Sequence, residues 1–119
     1  MTLPLSPVML ARAYDYLRSS PPFIEWRLPP SRTLLFRVTR HADRFSHVRG
    51  YIRSQGAEIA VSERKVGSSR VLIECMAHEM IHLHQHLQRS ETPKTQHNAE
   101  FEALADLVCR LHGFDRKTF

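Results

Sequence analysis

Two histidines and a glutamate in the second half of the chain have the spacing of a metal site. His78 and His82 lie four residues apart, and Glu79 follows the first histidine, which spells H-E-x-x-H. On an α-helix, side chains four residues apart lie on one face, so both imidazoles can bind one ion. Zinc accepts histidine nitrogen at about 2.0–2.1 Å and prefers four ligands. A third protein ligand and a water would complete the site, and Glu79 is placed to act on that water as general base.

The residues around this pattern favour a buried helix. From Val71 to Leu87 the chain contains no glycine and no proline, and its apolar residues recur at helical spacing. Gly67-Ser68-Ser69 supplies a turn and a serine N-cap, and the helix is expected to end near Arg89. The alternative is a core helix with incidental histidines, since the chain carries 8 His.

The third ligand has to come from elsewhere in the chain. The metzincin pattern would place a glycine and a histidine where this chain has Gln85 and Gln88, so that class is excluded. A glutamate ligand from a later helix would be Glu100, and a histidine ligand would be His97. His97 lies fifteen residues after His82, which is enough for a helix end, a turn and a returning helix. The residues alone leave both candidates open.

A resemblance to a known family bears on this choice. The segment His97-Asn98-Ala99-Glu100-Phe101 resembles the H-G-x-x-F motif of SprT-like metallopeptidases, the class that includes Spartan. The preceding chain is similar as well, with a glycine-containing strand at Gly50, an I-x-V strand from Ile59 to Val61, and H-E-M-I-H. The resemblance covers about residues 32 to 108, and Asn98 stands where glycine is usual.

The resemblance implies a zinc-dependent endopeptidase with one Zn²⁺ per chain. His78, His82 and His97 would bind the ion, Glu79 would be the general base, and an aromatic residue would pack behind the third ligand. Glu100 would either orient a ligand or replace His97. The substrate would be a protein or peptide, bound or crosslinked to DNA.

The basic residues are unevenly distributed. The net charge is +5 and 14 of the 17 basic residues are arginines, seven of which lie between Arg27 and Arg53 against the single acid Asp43. Clustered arginines suit phosphate oxygens. The candidate nucleic-acid contacts are Arg37, Arg40, Arg44, Arg49 and Arg53. The alternative is a basic, solvated face that aids solubility.

Strands and helices are predicted to cluster separately along the chain, which indicates the α+β class. The predicted elements are a helix from Pro7 to about Leu17 or Arg18, strands Thr33–Thr39, Val48–Ser54 and Ala57–Ser62, the motif helix, and a last helix from about Gln96 to His112 that ends at Gly113. We expect a single zincin-like domain over residues 1–119, with its core at 32–112. It would have an N-terminal helix, a three-stranded twisted sheet, the H-E-x-x-H helix and a C-terminal helix carrying the third ligand.

Targeting gives a simple expectation. No apolar run approaches the ~18 residues that span a membrane, and no secretory signal is visible at the start. We therefore expect a cytoplasmic protein with no membrane partner.

Cys75 and Cys109 are expected to be reduced core thiols. Cys75 as a metal ligand is a less favoured alternative.

Several further roles are predicted or left open. Substrate is expected to lie along an exposed sheet edge, with Ala57–Ser62 as the candidate edge strand. His84 and His86 are expected at the surface or the rim of the site, and Phe101 in the core rather than at the site. The oxyanion stabiliser is open between Tyr51, His112 and an arginine.

Two other functions compete with the DNA-associated endopeptidase. One is a non-catalytic, zinc-stabilised DNA-binding or regulatory module, and the other is a peptidase that cleaves a protein partner without nucleic acid. The oligomeric state is not indicated.

Overall fold

The computed structural model describes residues 4–40, 46–51, 57–92, 95 and 97–119, and for 46–51 it describes the backbone alone. The described elements are the helices α1 (Pro7–Arg18), α2 (Ser69–Gln88) and α3 (Ala99–His112), the strands β1 (Leu35–Thr39), β2 (Ser46–Tyr51) and β3 (Ala57–Ser62), and two short 3₁₀ turns, Phe23–Glu25 and Ser31–Thr33. The helices lie on either side of the strands in the chain, so the predicted α+β class is confirmed.

Helix α1 begins where a capping serine meets a proline. The Ser6 side chain accepts a hydrogen bond from the Met9 N–H at 3.2 Å, and Pro7 needs no hydrogen-bond partner at the first helical position. The face toward the core carries Leu10, Ala13, Tyr14 and Leu17, all of which are buried. The predicted bounds of this helix are confirmed.

The sheet has the strand order β1-β3-β2. Strand β3 pairs antiparallel with β2, as the hairpin signal predicts, and parallel with β1. The predicted turn at Gln55-Gly56 lies outside the described residues. Because β3 is hydrogen-bonded on both sides, the prediction that Ala57–Ser62 is a free edge strand is wrong. The edges are β1 and β2, and all six residues of β3 are buried.

Helix α2 is the central helix of the core and carries the H-E-x-x-H residues. Its N-cap is Ser68, whose side chain accepts from the Val71 N–H at 3.2 Å, and its C-cap is Arg89 in the left-handed region at φ 56°. It contacts α1, α3, β2 and β3, and Met76, Ala77, Met80, Ile81 and Leu83 are fully buried. None of the helices among the described residues is long and apolar enough to cross a bilayer.

Helix α3 begins later than predicted. The extended backbone of Asn98 and its side chain, which accepts from the Phe101 N–H at 2.9 Å, start the helix at Ala99. His97 therefore lies in the segment before α3, and the prediction that the helix itself carries the third ligand is wrong. The helix ends as predicted at Gly113, whose φ of 75° suits the left-handed C-cap.

Both cysteines lie on helices, and neither forms a disulfide. Cys75 is half-buried on α2 and Cys109 is buried on α3. Burial raises the pKa of the Cys109 thiol, as expected for a core cysteine.

Candidate metal centre

Three histidines converge between α2 and the segment before α3. One imidazole nitrogen from each of His78, His82 and His97 lies within 4.8 Å of the others. Helical spacing brings the first two together, and the turn after α2 brings the third beside them. A tetrahedral ion with bonds of about 2.1 Å would hold its ligands about 3.4 Å apart, so small side-chain adjustments would suffice. The three residues fit a zinc ion.

A single aromatic ring backs all three histidines. Phe101, which is 1% exposed, stacks on His97 with ring centroids 4.1 Å apart and on His82 at 4.6 Å, and it meets His78 edge-on at 5.1 Å. An aromatic residue behind the third ligand is what the resemblance implies, and Phe101 lies there, whereas the expectation that Phe101 lies in the core rather than at the site left these contacts out. The spacing of His97 and Phe101 was the signal for them, since an aromatic four residues after a ligand can return to the ligand's side.

The two histidines on α2 are held neutral. Burial lowers the pKa of His78 from 6.5 to about 4, and nearby His97 adds to the effect. Burial likewise lowers the pKa of His82 from 6.5 to about 4, with His78 and His97 contributing. Neutral imidazole has the free lone pair that a metal requires.

One of these histidines also has its second nitrogen engaged. The Nδ1 of His78 lies 2.8 Å from the main-chain oxygen of Phe119. This oxygen carries no proton and only accepts, so Nδ1 must carry the proton, and Nε2 of the neutral ring is left with its lone pair.

Glu79 is buried beside the cluster. It follows His78 directly on α2 and is only 3% exposed. A buried carboxylate stays ionised when hydrogen-bond donors or positive charges surround it. Its role as general base stays a prediction.

A polar network ties the third histidine's segment to α2. Gln85, which is 1% exposed, donates from Nε2 to Asn98 Oδ1 at 2.9 Å and to Glu100 Oε1 at 2.8 Å. Glu100 also accepts from the Ser90 hydroxyl at 2.5 Å, and these hydrogen bonds lower its pKa. Its carboxylate lies outside the histidine cluster, so the structure favours His97 over Glu100 as the third ligand.

Asn98 is the hub of this network. Its Oδ1 accepts from Gln85 and from the Phe101 N–H, and its Nδ2 donates to the Ser90 carbonyl at 3.1 Å and to Thr92 Oγ1 at 3.0 Å. Both amide protons and the amide oxygen are used. Asn98, which stands where the H-G-x-x-F motif has glycine, therefore fixes the segment next to His97.

Three other histidines have different surroundings. His84 stacks on Trp26 with centroids 4.4 Å apart, His86 Nδ1 lies 2.9 Å from a Glu91 carboxylate oxygen, and His112 Nε2 donates to the Pro21 carbonyl at 2.7 Å. Neither these histidines nor Cys75 joins the cluster.

The structure describes some, but not all, of the arginines predicted to contact nucleic acid. Arg37 donates to Glu58 at 3.1 Å, and Arg40 donates to Glu63 at 2.7 Å. Arg44 and Arg53 lie outside the described residues, and only the backbone of Arg49 is described. Nucleic-acid contact by this stretch stays a prediction, as does any oxyanion role of Tyr51.

Comparison with known protein families supports the resemblance seen in the sequence. A search of curated proteins found no match. The family model of the SprT-like family matches residues 26–118, which include the three converging histidines and most of the described fold. The resemblance noted in the sequence is thereby confirmed, and the chain belongs to the SprT-like family.

Proposed function

We propose that this protein is a zinc-dependent endopeptidase of the SprT-like type. The observation that carries the proposal is the meeting of His78, His82 and His97 around one small volume, with Glu79 buried next to the first of them. Neutral histidines and an adjacent carboxylate are the groups that metal-assisted amide hydrolysis requires. Membership of the SprT-like family supports the same reading.

Each residue has a distinct part in the reaction. His78, His82 and His97 would hold the ion, which supplies Lewis acidity toward a water molecule and a carbonyl oxygen. Glu79 accepts a proton from the attacking water at its carboxylate and returns that proton to the leaving amine. Phe101, stacked behind His97 and His82, keeps water away from the rear of the imidazoles.

The peptide substrate is proposed to add a strand at β2. Strands β1 and β2 are the edges of the described sheet, and β2 packs closely against α2. An extended peptide at that edge would gain main-chain hydrogen bonds and lie close to the helix that carries Glu79.

The decisive experiment separates catalysis from metal binding. Glu79→Gln is expected to retain one zinc per chain and to lose cleavage of a quenched fluorescent casein by about 10²-fold or more. Glu74→Gln makes the same chemical change on the same helix and is the matched control, which should cleave normally. Zinc content is measured by plasma mass spectrometry and cleavage by fluorescence, with and without single-stranded DNA.

Other results would favour the competing function. If wild type cleaves nothing while holding zinc, the chain is better described as a non-catalytic, zinc-stabilised DNA-binding or regulatory module. Equal cleavage rates in Glu79→Gln and wild type would remove Glu79 as the general base. The net charge of +5 is what supports the non-catalytic alternative. Association of the peptidase's substrates with DNA is proposed on the same ground.

A further inference from the structure

The residues after α3 fold back along the helix that precedes them. At the left-handed Gly113, the N–H of Gly113 and the N–H of Phe114 both donate to the Cys109 carbonyl, at 2.8 and 3.1 Å. This arrangement caps α3 and reverses the chain. We call residues 113–119 the C-terminal return.

An arginine attaches the C-terminal return to α3. Arg116 donates from Nε to Asp106 Oδ1 at 2.7 Å, and its Nη2 pairs with the Glu102 carboxylate. Glu102 and Asp106 are one helical turn apart on the same face. The guanidinium therefore spans a turn of α3 and directs the return toward the start of that helix, where His97 and Phe101 lie.

A tight turn then brings the final residue to the metal centre. The Asp115 side chain accepts from the Lys117 N–H at 3.0 Å, and the Asp115 carbonyl accepts from the Thr118 N–H at 3.2 Å. Beyond this turn the Phe119 ring packs on Phe114 and on His78, with centroids 5.9 and 5.4 Å apart. The main-chain oxygen of Phe119 accepts from His78 Nδ1 at 2.8 Å.

We propose that the C-terminal return is a positioning element of the metal centre, in which the main-chain oxygen of Phe119 holds His78 in the Nδ1–H tautomer and so presents Nε2 to the ion. This inference rests on the proposed metal centre. A metal-binding histidine commonly donates its other N–H to a carboxylate or a carbonyl, and removing such a partner costs about 10–100-fold in metal affinity.

The contacts argue for positioning rather than for stability alone. The carboxylates that hold Arg116 are more than half solvent-exposed, and ion pairs at such sites contribute little to folding. The hydrogen bond to His78 is partly buried and joins the return to a different helix, 41 residues away along the chain.

The test compares two neighbouring charge deletions. Arg116→Ala removes the attachment to α3, whereas Lys117→Ala removes one exposed positive charge from the same return. Zinc affinity, measured by competition with a chromophoric chelator, is expected to fall about tenfold or more in Arg116→Ala and to stay within about twofold of wild type in Lys117→Ala. Equal affinity in all three proteins overturns the proposal.

A second measurement decides the matter even if Arg116→Ala does not fold. Two-dimensional ¹H–¹⁵N spectra of the imidazoles in zinc-free wild type at pH 8 report the tautomer of His78, and Nδ1–H is expected. An Nε2–H tautomer in a chain that binds zinc overturns the positioning role alone. An Nδ1–H tautomer in a chain that binds no zinc overturns the metal centre, and the positioning role with it.

Discussion

His78 and His82 stay uncharged in the folded chain because they are buried beside each other and beside a third histidine. In the unfolded chain each would take up a proton near pH 6.5, whereas in the folded chain the pKa of each is lowered to about 4. Between these values the unfolded state binds more protons, so protonation favours unfolding.

The zinc-free protein is therefore expected to lose stability in mild acid. The contribution of these histidines is fully present above pH 6.5 and is lost as the pH falls toward 4. Urea unfolding of the zinc-free chain in steps between pH 7.5 and 4.5 measures this loss. His82→Asn, which lacks a titrating ring, should show a shallower pH dependence than wild type, and a flat profile in wild type would contradict the expectation.

The metal-binding residues can be predicted from the sequence, whereas the hydrogen bond that orients His78 cannot. The spacing of His78 and His82 on one helix predicts a shared ligand, because helix geometry is local. The ring of Phe101 behind His97 follows from the resemblance and from their spacing of four residues, whereas the hydrogen bond from His78 to Phe119 joins residues 41 positions apart in the chain. Such a contact depends on how α2 and α3 pack, which no local pattern specifies.

At the scale of elements, the start of α3 depends on one amide side chain. Asn98 caps the helix and, through Gln85, Ser90 and Thr92, holds the last turn of α2 to the following segment. A glycine here could still start a helix but would leave the buried Gln85 amide short of a partner.

Asn98→Gly is expected to destabilise the protein by about 1–3 kcal/mol, because it leaves buried hydrogen-bonding groups unsatisfied. It should also weaken zinc binding by loosening the segment that holds His97. Thermal unfolding of the zinc-free chain and chelator competition measure the two effects. Thr92→Val removes one exposed acceptor and is the control for a small change. A glycine variant as stable as wild type would show that the network does not hold this segment.

Strand β3 illustrates what the sequence could and could not specify. Its hairpin partner β2 was predicted from a nearby turn signal, whereas its parallel pairing with β1 crosses a long connection and has no local signature. This is why β3 was mistaken for an edge. Its burial on both faces, with Ala60 fully covered beside Ile59 and Val61, is what a central strand requires.

The central position of β3 can be tested by truncating one side chain. Ile59 is fully buried, and Ile59→Ala is expected to cost about 2–5 kcal/mol of the free energy of unfolding. Val8→Ala, at a position 61% exposed on α1, should change it by no more than about 0.5 kcal/mol. Chemical denaturation of both variants gives the comparison, and a loss below about 1 kcal/mol at Ile59 would argue against a packed central strand.

At the scale of the whole molecule, the positive charge bears on the proposed association with DNA. The chain has a net charge of +5, and its described arginines include Arg40, whose side chain is 84% exposed despite the ion pair with Glu63. A phosphate could compete with that carboxylate, because a surface ion pair is weak.

Binding to a generic DNA duplex is expected to weaken steeply between 50 and 200 mM salt. Arg40→Gln should reduce the slope of log affinity against log salt by about one, whereas Arg110→Gln, the same charge change on α3, should leave it unaltered. Fluorescence anisotropy at several salt concentrations measures both slopes. Salt-independent binding, or identical slopes in the two variants, would contradict a phosphate-contacting face near Arg40.

The ring of Phe101 has a consequence for how this protein can change by mutation. The Phe101 side chain is buried in the interior and also packs against the three imidazoles. Selection for core packing and selection for metal affinity therefore act on the same side chain. A larger or smaller side chain at this position is expected to change both the stability of the fold and the metal affinity. Adaptive variation should therefore accumulate around Phe101 rather than at it.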